Sequence, residues 1–572
     1  MKTLKIALAG LAAAPLALAP LPIATPAVAA PAAKTADPGV VSSAHPLASA
    51  AGQQILREGG TAADAAMAMM LALTVVEPQS SGIGGGGFFV YQDKKSGKLV
   101  TIDGREKAPV AATPQRFLGA DGKPLSFFQA VPGGLSVGVP GNIRLMAMVH
   151  QRFGKLEWAK LFEPAIKLAE DGYQVTPPMA AGMGFVSQVW GKFPAITAQY
   201  THDGKPYAVG ETIKNPALAR TLRTIAEQGP DAFYTGPIAQ SIVDAATGAQ
   251  MNKSDITLAD LAGYEAKERP PVCGQYRQWK ICGMGPPSSG AVTVLEILGM
   301  LQRFDMKKLG KESPTSWHLI AEAMQLAYAD REKYLGDPDF IDNPVKGMTS
   351  PAYLAQRSKL ISLTKARDSY EAGTPPGAQP RTAAVQNEPH GTTHFVAVDA
   401  AGDVATMTST VEGPFGSQLL AGGMVLNNEL TDFTFAPEKN GAPVANRVMG
   451  GKRPLSSMSP TIVYDRSGKP VFAVGAAGGK TIIMQVAKAL IAHLDWGMPA
   501  RDALGLGLVY FGPTGIILEQ GTELEKFKEP LEKMGHKVTI AKLGLKANAA
   551  ELTPHGWEGA ADPRSIGVAL KP

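Results

Sequence analysis

Apolar positions change their spacing several times along the chain. The first apolar run, Ile6 to Leu18, follows Lys2 and Lys5 and is broken by Pro15, with Pro20 and Pro22 just beyond. Spanning a bilayer needs roughly 20 apolar residues, so this run is too short and too interrupted to be an anchor. With the small-x-small triplet Ala27-Val28-Ala29 it predicts a cleaved signal peptide over residues 1–29. No cysteine lies near that triplet, which argues against lipid attachment. A second run, Ala65 to Val76, follows Gly59-Gly60-Thr61-Ala-Ala-Asp64. That order predicts a turn, an N-cap threonine with a capping-box acid, and a buried helix. Phe88–Tyr91 and Leu99–Ile102 flank a Lys-Lys-Ser-Gly-Lys turn and predict a hairpin. Helical spacing returns over residues 140–180 and 315–365.

Residues 364–388 are polar, contain Pro375, Pro376 and Pro380, and have no apolar period, which predicts a long exposed loop. Strict alternation follows at once. Thr393–Val398 reads as a strand, Asp399-Ala-Ala-Gly402 as a turn and Val404–Thr410 as the returning strand. A flexible segment that ends abruptly at a strand suits a place where the chain is cut. No internal repeat or dividing linker interrupts the 572 residues.

Composition narrows the classes. An apolar share of 45% supports a large core, and the net charge of +5 comes from Lys and Arg scattered among Asp and Glu, which gives no footprint for nucleic acid. The only cysteines, Cys273 and Cys282, sit in two short strand-like segments around a turn, and in an oxidising compartment they can pair. The cluster Gly82–Gly87 lacks a following Lys-Ser or Lys-Thr and runs into a strand, so it predicts tight backbone packing and not a phosphate loop. The nine histidines show no His-Glu-x-x-His spacing, and no Gly-x-Ser-x-Gly elbow is present. Asp337 and Asp339 flank Pro338 and read as a structural turn. Nothing in the sequence calls for a metal or a cofactor.

One short stretch carries chemistry, Gly391-Thr392-Thr393. A threonine hydroxyl is a poor nucleophile until a base takes its proton. If the chain breaks before Thr392, the new α-amine, with a pKa of about 8, is a base within the same residue. Gly391 suits such a break, because a residue without Cβ tolerates a strained turn. Read alone, Gly-Thr-Thr is no more than a strand start.

Several ordered segments give that stretch its context: Ala44-His-Pro-Leu-Ala-Ser49, Gly82–Gly87, Asp103-Gly-Arg-Glu-Lys-Ala-Pro109 and Gly134-Leu-Ser-Val-Gly-Val-Pro140. Pro286-Pro-Ser-Ser-Gly290, Tyr334-Leu-Gly-Asp-Pro-Asp-Phe340, Thr392-Thr-His394, Arg453-Pro-Leu-Ser-Ser-Met-Ser-Pro460 and Ala561-Asp-Pro-Arg564 follow. Together they resemble the γ-glutamyltransferases. The resemblance implies an α+β fold of the N-terminal-nucleophile hydrolase type, a four-layer αββα sandwich. It implies self-cleavage between Gly391 and Thr392 into a large subunit (30–391) and a small catalytic subunit (392–572) within one integrated domain. The activity implied is transfer of a γ-glutamyl group from glutathione or a similar amide, through a threonine ester, to water or to an amino acid or peptide. The implied partners are small molecules and the two subunits themselves, in a periplasmic or secreted setting, with no nucleic acid and no membrane anchor after cleavage.

The resemblance also implies roles. Thr410 orients Thr392, and the Gly478 and Gly479 N–H groups receive an oxyanion. Arg105 clamps the donor α-carboxylate with Ser456 and Ser457 as added donors, while Glu429 and Asp432 hold an α-ammonium. His394 is read as structural, since its side chain alternates away from that of Thr393. Two departures stand out. Glu412 occupies a position that is Asn in many γ-glutamyltransferases, and the stretch between Asp432 and Ser456 is short, with no tyrosine gate evident among Ala436–Gly451. They keep open a cephalosporin or glutaryl amidase, or a poly-γ-glutamate transpeptidase, on the same scaffold. An inactive periplasmic binding protein is a further alternative, against which Thr392, Thr410 and the glycine pair argue.

Overall fold

Side-chain alternation sorts the central strands into two apolar cores. Phe88, Val90, Val396 and Val398 enter one, while Phe89, Tyr91, Phe395 and Ala397 enter the other. A computed structural model describes residues 1, 37–384, 391–512 and 514–572. Apart from Met1, the predicted signal peptide lies outside the described residues, and so do 385–388 at the end of the predicted loop. Asp37–Pro572 form one unit.

Two antiparallel sheets organise that unit. The first has seven strands in the order Val568–Leu570, Val40–Ser43, Thr393–Val398, Val404–Thr410, Gly86–Gln92, Leu99–Gly104 and Lys267–Arg269. The second has six, Gly556–Ala561, Lys546–Thr553, Pro470–Ala477, Thr461–Tyr464, Trp279–Gly283 and Val272–Tyr276. The two predicted hairpins form, and they join edge to edge, Val404–Thr410 pairing with Gly86–Gln92 in the register Thr410↔Gly86. The sheets face each other. A Cβ on Gly475 of the second sheet would lie 2.2 Å from the ring of His394 in the first, and Tyr464 donates across the gap to Gln92 at 2.7 Å.

Helix Ala62–Val76 is buried along its whole length and packs on the first sheet. Its start is the predicted one, with Thr61 and Asp64 exchanging capping-box hydrogen bonds. Helices Gly290–Leu301 and Thr481–Leu494 pack on the second sheet. The spacing over 140–180 and 315–365 resolves into shorter helices, of which Pro314–Tyr334 is the longest at 21 residues. Gly82–Gly87 is the expected close approach: a Cβ on Gly84 would lie 2.0 Å from the Val425 carbonyl, and one on Gly85 1.9 Å from that of Thr410. Cys273 and Cys282 stand opposite each other in register and form a disulfide. Asp337 and Asp339 serve the fold, the first accepting from Arg453 N at 2.7 Å and the second pairing with Arg269 at 2.6 Å.

The segment from Thr364 differs from the loose exposed loop expected. It has no helix and one isolated bridge over 364–384, but it is tied down. Tyr370 bonds Glu322, Gly373 N donates to Asp330 at 2.6 Å, and Arg357 donates to the Glu371 carbonyl at 2.9 Å. Prolines and polar residues predict the missing periodicity correctly. They do not reveal that buried acids on a neighbouring helix capture the backbone.

Candidate active site

Thr392 sits where the irregular segment becomes the strand Thr393–Val398. Its N–H donates to the Ser80 carbonyl at 3.0 Å, and the same carbonyl accepts from Val411 at 3.1 Å. Ser80 therefore ties the start of one hairpin strand to the end of the other, and no sequence pattern points to it. Thr392 has φ +78°, the left-handed region that a β-branched residue rarely enters. Gly391 has no room for a side chain, because a Cβ there would lie 1.6 Å from the Glu412 carbonyl oxygen. The glycine is required by this close approach more than by the turn conformation.

The Thr392 hydroxyl lies 3.1 Å from that of Thr410. Thr410 Oγ1 already accepts from Glu412 N at 2.8 Å, so its own hydrogen is free to be donated to Thr392. Both hydroxyls line a small cavity with Arg105, Glu412, Glu429, Asp432, Ser456 and Gly479. Met458 and Ile482 complete the wall, two apolar residues that sequence reasoning had no signal to select. In the intact chain the cavity measures about 10 Å³, too little for any donor. A groove of about 850 Å³ adjoins it, lined by Gly391, Gly478, Ser80, Glu77 and Lys546 among others.

Eight of the ten predicted catalytic and substrate-binding residues thus meet at one cavity. Gly478 faces the groove, one residue from Gly479 in the turn between strand Pro470–Ala477 and helix Thr481–Leu494. Ser457 points elsewhere and accepts from Arg331 at 2.9 Å. His394 is structural. Its ring nitrogens bond Thr408 at 2.8 Å and Thr406 at 3.0 Å, and burial lowers its pKa to about 3, so it is neutral. The 433–455 segment does not reach over the site as an aromatic gate. Phe435 stacks on Phe117, and Lys452 donates to the Ala445 carbonyl at 2.7 Å.

The cavity floor is an ion cluster. Arg105 is 1% exposed and donates to Glu429, to Asp432 at 2.5 Å and to the Leu455 carbonyl at 3.1 Å. Burial opposes its charge, but Glu429, Asp432 and Glu106 outweigh this and raise its pKa. One guanidinium cannot neutralise every carboxyl around it. Glu106, unremarked in the sequence, is fully buried, and burial lifts its pKa to about 7 against the pull of Arg105. Glu412 is pushed well above the carboxylate range, by burial first and then by Asp432 and Glu429. Both effects favour its neutral form, and Asn428 donates to one of its oxygens. Its carboxyl also lies against that of Asp432.

Glu412 also has φ +79°. Asn tolerates that region better than Glu and brings no carboxyl to bury. Glu412→Asn should therefore stabilise the protein by about 1 kcal/mol in urea unfolding. A destabilised variant would show that the Glu412 carboxyl holds the cluster together.

The gamma-glutamyltranspeptidase family model matches residues 48–571. The glutathione hydrolase proenzyme of Escherichia coli strain K12 is 37% identical over 545 residues, covering 93% of this chain and 91% of that one. The acylase ACY 1 proenzyme of Pseudomonas sp. strain SE83 is 34% identical over 542 residues, covering 93% of each. Among solved structures, the cephalosporin acylase of Bacillus halodurans superposes with a TM-score of 0.82 at 26% identity, covering 96% of this chain and 99% of that one. Fold and comparisons define an acyl-transferring enzyme whose relatives are named as proenzymes. The chain belongs to the gamma-glutamyltranspeptidase family. No helix among the described residues is long and apolar enough to cross a membrane.

Proposed function

We propose that the chain is an exported precursor that cuts itself between Gly391 and Thr392 and then transfers γ-glutamyl groups from glutathione or a related amide. The observation that carries this reading is the Thr392–Thr410 hydroxyl pair, 3.1 Å apart, at the wall of a cavity floored by Arg105, Glu429 and Asp432. Cleavage must come first, because the nitrogen needed as base is otherwise tied up in the Gly391–Thr392 amide. Once free, that amine stays near Ser80 O and takes the Thr392 hydroxyl proton, while Thr410 donates to the same oxygen. Thr392 Oγ1 attacks the γ-carbonyl, the Gly478 and Gly479 N–H groups receive the oxyanion, and the protonated amine delivers its proton to the leaving amine. The ester then passes its acyl group to water or to an amino acid or peptide.

The fragments 30–391 and 392–572 would not part. Thr393–Val398 lies between Val40–Ser43 and Val404–Thr410, and both sheets take strands from each side of the cut. Helices packed on both sheets support the four-layer αββα arrangement of N-terminal-nucleophile hydrolases. The Cys273–Cys282 disulfide supports a periplasmic or secreted location.

A glutaryl or cephalosporin acylase is the competing reading, favoured by the acylase relatives. The carboxyls of the cavity argue against it. An excess of carboxyls around one arginine fits an amino-acid end that brings both an α-carboxylate and an α-ammonium, whereas a glutaryl group brings no cation. A chromogenic γ-glutamyl anilide should therefore be cleaved well and a glutaryl anilide poorly. The reverse order would make the protein an acylase.

Two further expectations follow from the floor of the cavity. Arg105→Lys keeps the charge and loses the planar fork, so kcat/KM for the γ-glutamyl anilide should fall by about 1.5–3 kcal/mol with processing intact. Unchanged kinetics would remove Arg105 from the clamp. Donor binding should also expel protons. Glu106 has a raised pKa of about 7 in the free site, and a bound ammonium in the cluster lowers it. Below about pH 7 the proton on Glu106 must leave before the pair forms, so affinity should fall as pH drops through that range. Calorimetry with a non-hydrolysable donor in two buffers of different ionisation enthalpy reads the proton count. Net uptake of protons would contradict the assignment.

A further inference from the structure

Away from the cavity, helix Pro314–Tyr334 carries His318 and Glu322 four residues apart, on one face. His536, in the turn between helix Lys528–Lys533 and strand Val538–Ala541, meets them. One ligand atom from each of the three residues lies within 4.8 Å of the other two. His318 and Glu322 are completely buried and His536 is 7% exposed. We propose that His318, Glu322 and His536 form a binding site for a divalent transition metal of the Zn²⁺ class, pinning this helix to the C-terminal part of the chain.

The polar atoms around the cluster are arranged for ligation. His318 Nε2 lies 2.9 Å from the Ser362 carbonyl, which only accepts, so that nitrogen carries the hydrogen and Nδ1 presents a lone pair. Nδ1 faces His536 Nε2 at 2.7 Å. Glu322 Oε1 is held by the Tyr370 hydroxyl and by Arg367 N at 3.4 Å. Glu322 Oε2 is buried with no partner among the described residues. Metal-bound histidines characteristically donate their other N–H to a carbonyl, and bound carboxylates are themselves hydrogen-bonded. Both conditions are met before any metal arrives.

Two imidazoles and a carboxylate match the donor set of Zn²⁺, with water completing a tetrahedron from the slightly exposed His536 side. Bonds of about 2.0–2.1 Å place tetrahedral ligand atoms roughly 3.3 Å apart. The imidazoles would open a little from their direct contact, and His536 would move its hydrogen to Nδ1. Sequence spacing hides the site, because the third ligand lies 218 residues from the first. His318 and Glu322 precede the proposed cut and His536 follows it. Bridging of the two fragments by the metal thus rests on the cleavage reading, whereas the site itself does not.

The test uses the purified protein stripped with a chelator, as wild type and as the uncut Thr392→Ala chain. Zn²⁺ affinity is read by competition with a chromogenic chelator, and Co²⁺ serves as a spectroscopic probe. One equivalent of Zn²⁺ should bind both forms, with a tetrahedral Co²⁺ absorption band. Glu322→Gln and His536→Asn should abolish both signals, and Tyr370→Phe should weaken Zn²⁺ by roughly 10–100-fold. Glu322→Gln should keep γ-glutamyl anilide hydrolysis, which shows that it folds. Absence of Zn²⁺ binding by wild type overturns the proposal, and so does equal binding by wild type and both ligand variants. Because the uncut chain is included, failure of the cleavage reading leaves the metal result interpretable.

Discussion

Thr392→Ala should run as a single chain of full mature length and should cleave no γ-glutamyl anilide. In the proposed mechanism the variant loses the hydroxyl that attacks the Gly391 carbonyl, so the precursor persists. It also loses the proposed nucleophile of the second reaction. Loss of a nucleophile of this kind costs roughly 10⁶-fold in kcat. Thr392→Ser keeps a hydroxyl and should still split. Denaturing gels and N-terminal sequencing read the first outcome, and initial rates read the second. A Thr392→Ala protein that splits at this bond would sink the mechanism.

The second large effect belongs to Gly391→Ala. One methyl group would be built 1.6 Å from the Glu412 carbonyl oxygen, a backbone atom that no rotamer change can move aside. The Gly391–Thr392 peptide must shift, and displacement of reacting atoms by about 1 Å can cost 10²-fold. Self-cleavage of purified precursor should therefore slow by about 100-fold in a gel time course. Any variant that does mature has lost Gly391 from the catalytic fragment, so its turnover should approach that of wild type. A wild-type cleavage rate would show that the contact with Glu412 does not position the scissile bond.

The sequence showed the local patterns and missed what long-range contacts build. The hairpin strands Thr393–Val398 and Val404–Thr410 were legible because alternation and an Asp-Ala-Ala-Gly turn are local. The pairing of Val404–Thr410 with Gly86–Gln92 was not, since no pattern in either strand names the other. Arg105, Glu429 and Asp432 entered the site through the resemblance alone. In isolation each is an ordinary charged residue, and their contact joins positions more than 320 residues apart. Glu106 and Ser80 were missed for a related reason. Glu106 matters through burial, and Ser80 matters through a carbonyl that every residue type possesses. Ser457 was placed with Ser456 because neighbours in sequence share a motif, but adjacent residues in an extended segment face opposite ways, and Ser457 faces Arg331.

The left-handed backbone of Thr392 gives the proposed cut a direction. The torsion φ is defined by the carbonyl carbon of the preceding residue, so it ceases to exist at Thr392 when the Gly391 bond breaks. A conformation that costs of order 1–3 kcal/mol is thereby discharged in a single event. Resealing would require the ends to reload that torsion, which biases the equilibrium against religation by roughly 5- to 150-fold even while neighbouring strands hold the ends side by side. The proposed cut thus acts as a ratchet: the architecture that keeps the two pieces together also disfavours their becoming one chain again.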